Sequence, residues 1–362
     1  MTGAQIIVLA TPVFLLLIAL ELAVGLARGR HTYRLNDALA SIGLGVMSQV
    51  TGVFGKLLRI GVYAFAFEHV ALFQLPASEW WVWLCALLFY DFCYYWLHRG
   101  GHRVAVLWAA HAIHHQSEDY NLSTALRQTS SGFLLGWLFY LPMAVLGVPP
   151  LVFGVVALVD LLYQYWVHTQ LITKLGWFDR WFCSPSNHRV HHAVNDHYLD
   201  KNYGGILIVW DRLFGSFVEE DDSEPIVYGT RSPLRSFNPL WANLQVYRDL
   251  VLDAWHAQSW ADKLRVWLQA PGWRPPDVAA RFPRPAFDLQ AFQLYNPAAP
   301  PAMQGLAAAL FLLVLGLTSG FLWFSHQLNP AQQLGGAAGI VLLLWLIGML
   351  CEPRRATATR AA

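Results

Sequence analysis

Apolar residues gather in long runs along this chain, and the polar residues between them are unevenly shared out. A helix needs about 20 mostly apolar residues to cross a bilayer. Runs at 6–27, 80–97, 132–148, 151–168, 303–324 and 336–351 meet or approach that length. The stretch 38–75 is too long for one simple span and carries Lys56 and Arg59 in its middle. It predicts one crossing, with the remainder lying along the interface or turning back. The expectation is an all-α integral membrane protein with about seven transmembrane helices. The first run follows a segment without Lys or Arg, which suits a retained anchor better than a cleaved signal peptide.

Basic residues orient the spans. Arg28, Arg30 and Arg34 follow the first run; with that segment inside, the loop 98–131, the segment 169–302 and the tail with Arg354, Arg355 and Arg360 share its side. Segments 1–5, 76–79, 149–150 and 325–335 fall opposite and hold no Lys or Arg. The positive side is cytoplasmic. This predicts a multi-pass protein of a bacterial inner membrane or the endoplasmic reticulum.

Between the runs, 238–258 places Leu240, Leu244, Tyr247, Val251 and Trp255 at helical spacing, which predicts an amphipathic helix. Trp241, Trp260, Trp267 and Trp273 suit a helix on the membrane surface, though a helix covering a site reads equally well. The expected organisation is 1–79 N-terminal membrane helices, 80–235 catalytic core, 236–302 amphipathic cytoplasmic or interfacial segment, and 303–362 C-terminal membrane helices and tail.

Composition agrees with this picture. The chain is 56% hydrophobic and 13% charged, where soluble domains carry about 25% charged residues. Its 17 Trp and 14 Tyr fit aromatic belts at the membrane boundary. A net charge of +1 gives no sign of a nucleic-acid partner. Cys85, Cys93, Cys183 and Cys351 show no C-x-x-C spacing, so they read as free thiols.

The chemistry lies in the histidines. His98 and His102 form H-R-G-G-H; His111, His114 and His115 form H-x-x-H-H; His168 stands alone; His188, His191 and His192 repeat H-x-x-H-H. Residues at i, i+3 and i+4 share a helix face. Nine imidazoles exceed the three or four protein ligands of one zinc. They predict two metals with four or five nitrogens each, the neighbouring histidines of a triplet divided between them. An all-nitrogen set accepts Fe, Zn, Cu or Ni, and ligand type alone does not choose. With the spans oriented as above, all nine converge at the cytoplasmic membrane face. The spacing is not H-E-x-x-H, which argues against a zincin protease. His31, His69, His197, His256 and His326 fall outside the pattern, His197 being near enough to His192 to support it indirectly. Asp91 lies two turns below His98 and is placed to orient a histidine of another segment; Asp160 and Gln164 lead up to His168 in the same way.

At these residues the chain resembles the fatty acid hydroxylase / sterol desaturase superfamily over roughly 80–235, most closely its alkylglycerol monooxygenase branch. The strings that carry the resemblance are YYWLHRGGH (94–102), WAAHAIHHQSEDYNLSTALRQ (108–128), QYWVHTQLITKLG (164–176), SPSNHRVHHAVNDHYLDKNYGG (184–205) and IVWDRLFGSF (208–217). The resemblance implies that all nine histidines hold two irons. It implies O2-dependent hydroxylation of a lipid C–H bond in an alkylglycerol, a fatty acyl chain or a sterol. Tetrahydropterin or an external electron donor would supply the electrons, since no H-P-G-G haem segment is present. Asp91, Glu118, Asn121 and Asn195 are candidates for supporting catalytic roles, and Asp119 and Arg127 fall in a matched string. Two positions depart from the branch: Arg103 stands where glutamate is usual, and Asn187 where histidine is frequent. Other readings of the same ligands are a membrane zinc-dependent lipid hydrolase and a non-catalytic metal-binding membrane protein.

Overall fold

The computed structural model describes residues 3–55 and 57–352. Lys56 and the tail arginines Arg354, Arg355 and Arg360 lie outside the described residues. Among the described residues the secondary structure is helical, with strand pairing confined to two isolated bridges, Phe182 with Leu207 and Ala193 with Tyr228.

Helix α1 (Gly3–Ala27) is apolar and mostly exposed. α2 (Leu35–Gly52) and α3 (Val62–Val70) share out the 38–75 run, separated by a turn and a π-helical stretch, Leu57–Gly61. α4 (Trp80–Arg103) continues one and a half turns past its apolar run, and α5 (Ala105–His115) follows after a single extended residue, Val104. α6 (Leu122–Ala125) is one turn, capped by Asn121. The 132–148 run does not form one helix: it breaks into two 3-10 turns and the short α7 (Leu141–Val145). Gly132 and Gly136 weaken a helix, and Pro142 has no N–H to continue one. α8 (Pro150–Trp166) follows, then the short α9 (Pro185–His191) and α10 (Val209–Leu213). α11 (Pro239–His256), α12 (Trp260–Leu268) and α13 (Pro276–Arg281) precede two long apolar helices, α14 (Pro301–Phe324) and α15 (Pro330–Cys351). Among the described residues, three helices are long and apolar enough to cross a membrane: α1, α14 with its short extension to Gln327, and α15. α8 is apolar but shorter.

Two apolar cores organise the helices. In one, Leu39, Val46 and Val50 of α2 meet Phe311 and Val314 of α14 and Ile340 and Leu344 of α15. In the other, Tyr63 of α3, Ala86 and Tyr90 of α4, Met143 of α7 and Val152 and Val156 of α8 pack together. α4 and α8 run side by side and parallel, Ala86 and Tyr90 clustering with Val152 and Val156 and Tyr94 bonding Gln164 further on, so both carry their C-terminal ends to the same region.

The amphipathic helix expected at 238–258 is α11, capped by the Asn238 side chain accepting from Leu240 N and Trp241 N. Its buried side, with Ala242 and Leu250, packs on α5 through Ile113, Ala105 and Ala109. Leu244, Val251 and Trp255 face outward beside Trp260, Leu264 and Leu268 of α12. One helix therefore covers the site and presents an apolar face to its surroundings.

Candidate metal centre

The H-R-G-G-H segment ends α4 and α5 folds back along it. A side chain at Gly100 would place Cβ only 3.2 Å from both Leu107 and Phe139, so glycine there lets the helices close. His98 and His102 on α4, His111 and His115 on α5, and His191 on α9 form a group whose ligand nitrogens all lie within 4.8 Å of one another. His114 of α5, His168 just beyond α8, and His188 and His192 at α9 form a second group of the same tightness. The neighbours His114/His115 and His191/His192 divide between the groups because adjacent helical residues point about 100° apart. Neither group contains a carboxylate or a thiolate.

The outward nitrogens are already engaged. Nδ1–H of His98 donates to Tyr203 O at 2.8 Å, that of His114 to Arg127 O at 3.0 Å, that of His168 to Gln164 O at 2.8 Å and that of His191 to Lys201 O at 3.0 Å. In a neutral imidazole this leaves Nε2 as a bare lone pair. Those lone pairs converge: His114 and His168 bring Nε2 atoms to 3.1 Å with no proton for either to give. Nε2 of His102 and of His191 are buried without a hydrogen-bond partner. Buried lone pairs aimed at one another are costly unless a cation sits between them. The donor set thus fits a metal ion at each group, which these histidines could hold.

Burial, then repulsion from neighbouring imidazoles, pushes His111, His115, His188, His191 and His192 well below the usual histidine range, and burial pushes His114 down to about 4. All six are neutral near pH 7, the form a metal requires. Seven of the nine histidines are buried; His111 and His114 are half-buried and mark the open edge of the centre.

The four residues expected to assist catalysis stand elsewhere in the framework. Asp91 accepts from Ile206 N at 2.7 Å, Leu207 N at 3.0 Å and Trp210 Nε1 at 2.8 Å, so it holds a loop rather than a histidine. That loop comes close because residue 205 is glycine: a Cβ there would lie 2.9 Å from carboxylate oxygens of both Asp91 and Asp160. Glu118 accepts from Tyr295 N. Asn121 caps α6 and donates to Thr32 O at 2.6 Å. Asn195 donates to Glu224 and Pro225 O, both at 3.0 Å, and accepts from Val227 N. Asp119 pairs with Arg34 at 2.9 Å. Arg127, buried, donates to Ile113 O at 2.7 Å and so ties off α5, while its own carbonyl orients His114.

The residues that sequence reasoning missed lie at 200–211. Asp200 approaches His102 Nδ1 at 3.6 Å and Arg103 at 3.7 Å. Lys201 and Tyr203 supply the carbonyls for His191 and His98. Asp211 pins this loop by accepting from Tyr203 N at 2.8 Å and Gly204 N at 2.7 Å. Asp200 and Asn202 sit at φ of 58° and 56°, where the short polar side chains of Asp and Asn are tolerated. The signal was present in the string NDHYLDKNYGG, but carbonyl contacts leave no trace in side-chain identity. Asn187, at the second departure, donates to Asp179 O and Phe182 O and so braces the entry to α9.

Comparison with known proteins converges on the same segment. The model of the fatty acid hydroxylase family matches residues 83–216. The chain is 42% identical to the alkylglycerol monooxygenase of Homo sapiens over 267 residues, covering 74% of this chain and 59% of that protein. It is 36% identical to that of Danio rerio over 349 residues, covering 95% and 77%. An ornithine lipid hydroxylase of Rhizobium tropici is 30% identical over 132 residues, 36% of this chain and 40% of that one. The chain thus spans somewhat over half the length of the human relative. No solved structure matches. By this likeness the chain belongs to the fatty acid hydroxylase family, alongside the alkylglycerol monooxygenases.

Proposed function

We propose that this chain is a membrane di-iron oxygenase that uses O2 to hydroxylate a lipid C–H bond, with an alkylglycerol ether as the favoured substrate. The observation that carries the reading is the pair of all-imidazole groups side by side where α4 and α5 meet α9 and the end of α8. The names of the human and Danio rerio relatives favour the ether over a fatty acyl chain or a sterol.

Two irons, when bound, would supply the reduction of O2 and the abstraction of hydrogen. The protein's own residues do the rest. The nine histidines hold the metals, and the carbonyls of Gln164, Arg127, Lys201 and Tyr203 fix ring orientation. Burial of seven rings keeps water from the centre, and the edge at His111 and His114 is where a lipid meets it. Hydroxylation of the carbon beside an ether oxygen gives a hemiacetal, which collapses to an aldehyde and a glycerol. Tetrahydropterin or an external donor provides the electrons. The centre lies on the cytoplasmic face of a multi-pass membrane chain, with 236–302 along the surface. A hydrolytic zinc site would want a carboxylate acid/base beside the metal, and neither histidine group includes one.

The test is direct: purify the protein in detergent, count its metals, and follow O2 uptake with an alkylglycerol and tetrahydropterin. Two irons and lipid-dependent O2 uptake are expected. Two zincs, with no uptake on any lipid after iron reconstitution, would overturn the reading.

A further inference from the structure

Away from the half-buried edge at His111 and His114, a second approach leads to the metal centre. A cavity of about 400 Å³ lies between Gln170–Lys174 and Glu220–Tyr228, with Arg189 in its wall. Tyr228 forms part of that wall and stacks on Tyr120, ring centroids 4.8 Å apart and planes 9° apart. Tyr120 in turn stacks on His168 at 5.6 Å and 28°, and meets His192 at 5.2 Å. Gln170, also in the wall, donates to Tyr120 O at 2.9 Å. Packed rings therefore run from a polar cavity to two imidazoles of the second histidine group.

We propose that this cavity binds a small, planar, N–H-rich two-electron donor, and that Tyr228 and Tyr120 conduct its electrons to the metal held by the second group. The proposal rests on the oxygenase reading, which needs two electrons per turnover. The lining names the ligand class. Glu220, Asp221, Asp222 and Glu224 outnumber Lys174 and Arg189, and Arg189 is already neutralised by Glu220 at 2.7 Å. Such a lining attracts N–H groups and repels phosphate, so a nucleotide-borne donor is disfavoured. The volume matches a small heterocycle, and the Tyr228 ring offers a flat face for stacking. Tyr120 donates its hydroxyl to Val167 O at 2.9 Å, a carbonyl that takes no proton, so its ring passes electrons with the phenol intact. The balance is lipid–H + O2 + DH2 → lipid–OH + H2O + D. The donor loses two electrons and two protons, the O–O bond breaks, and one oxygen enters the C–H bond while the other leaves as water.

The experiment uses the full, metal-loaded chain in lipid nanodiscs, with 6-methyltetrahydropterin as probe. Anaerobic equilibrium binding and stopped-flow metal reduction are measured for the wild type, Tyr228→Leu and Tyr228→Phe. Tyr228→Leu is expected to weaken binding and slow reduction by about 10-fold or more, with metal content unchanged, whereas Tyr228→Phe keeps both near wild type. Wild-type binding and reduction in Tyr228→Leu would overturn the proposal. So would a wild type that takes up O2 with lipid yet binds no pterin, an outcome that leaves the oxygenase reading standing. If the wild type takes up no O2 with any lipid or donor, that reading fails by itself, and the binding titration still judges the cavity.

Discussion

His114 and His168 face each other Nε2 to Nε2 across 3.1 Å, each with its Nδ1 hydrogen committed to a backbone carbonyl. Two lone pairs at that distance repel, so the arrangement presupposes a cation. This makes His168, the one of the nine that stands outside the motifs, a full member of the second group. His168→Ala should lower bound metal from two equivalents to one and abolish lipid oxidation, while the first group keeps its metal. Elemental analysis with a parallel activity assay checks this. Retention of both equivalents would remove His168 from the ligand set.

Asp200 acts on His102 from outside the ligand set, 3.6 Å from its Nδ1. Partners of this kind set the orientation and basicity of a ligand, and losing one costs roughly 10–100-fold in metal affinity. Asp200→Ala should weaken metal binding by that order at the first group only. Competitive chelator titration resolves the two groups, and an unchanged first site would show that Asp200 merely closes the loop over Arg103.

The apolar outward face of α11 and α12 makes a prediction about the membrane. Trp255 and Trp260 are among the most exposed large side chains, at 78% and 80%, and Leu264 and Leu268 extend the same face. Each such side chain is worth about 1.5–3 kcal/mol when taken out of water, so this face should lie in the bilayer boundary. A nitroxide placed at residue 264 should show oxygen-rich, nickel-poor accessibility in power-saturation measurements on reconstituted protein. A label at exposed Asp222, beside the polar cavity, should show the reverse.

Much of this was legible beforehand because its causes are local. Helix periodicity gave α11, length and apolarity gave α1, α14 and α15, and the i, i+3, i+4 spacing gave the histidine pattern. What escaped depended on approach between distant segments. The 132–148 run reads as a span by hydropathy, yet Gly132, Gly136 and Pro142 break it into turns. Asp91 sits on the expected helix face, but the chain that arrives opposite it is the 205–210 loop, admitted by Gly205, and not a histidine. Asp211 carries no motif, because what it holds is a backbone whose Tyr203 carbonyl orients His98, and Asp200 reaches His102 only because this loop folds back over α4.

The neutral imidazoles give the metal-free protein a pH dependence whose sign follows from linkage. Burial lowers the folded-state pKa of His111, His114, His115, His188, His191 and His192, that of His114 to about 4. In the unfolded chain each returns to about 6.5. Between those values the unfolded state binds more protons than the folded one, so stability is intact above about pH 6.5 and falls as the pH drops toward the folded values. Each such histidine contributes about 1.4 kcal/mol per pH unit within its window. Bound metal steepens the loss, since protons compete for the same nitrogens. Chelated protein in nanodiscs should therefore melt at a nearly constant temperature from pH 8 to 7 and at sharply lower temperatures from pH 6.5 to 5. The metal-loaded form should shed its metal over the same acid range. A melting temperature that stays flat to pH 5 would mean that the rings are solvated, and the closed, water-excluding centre would have to be abandoned.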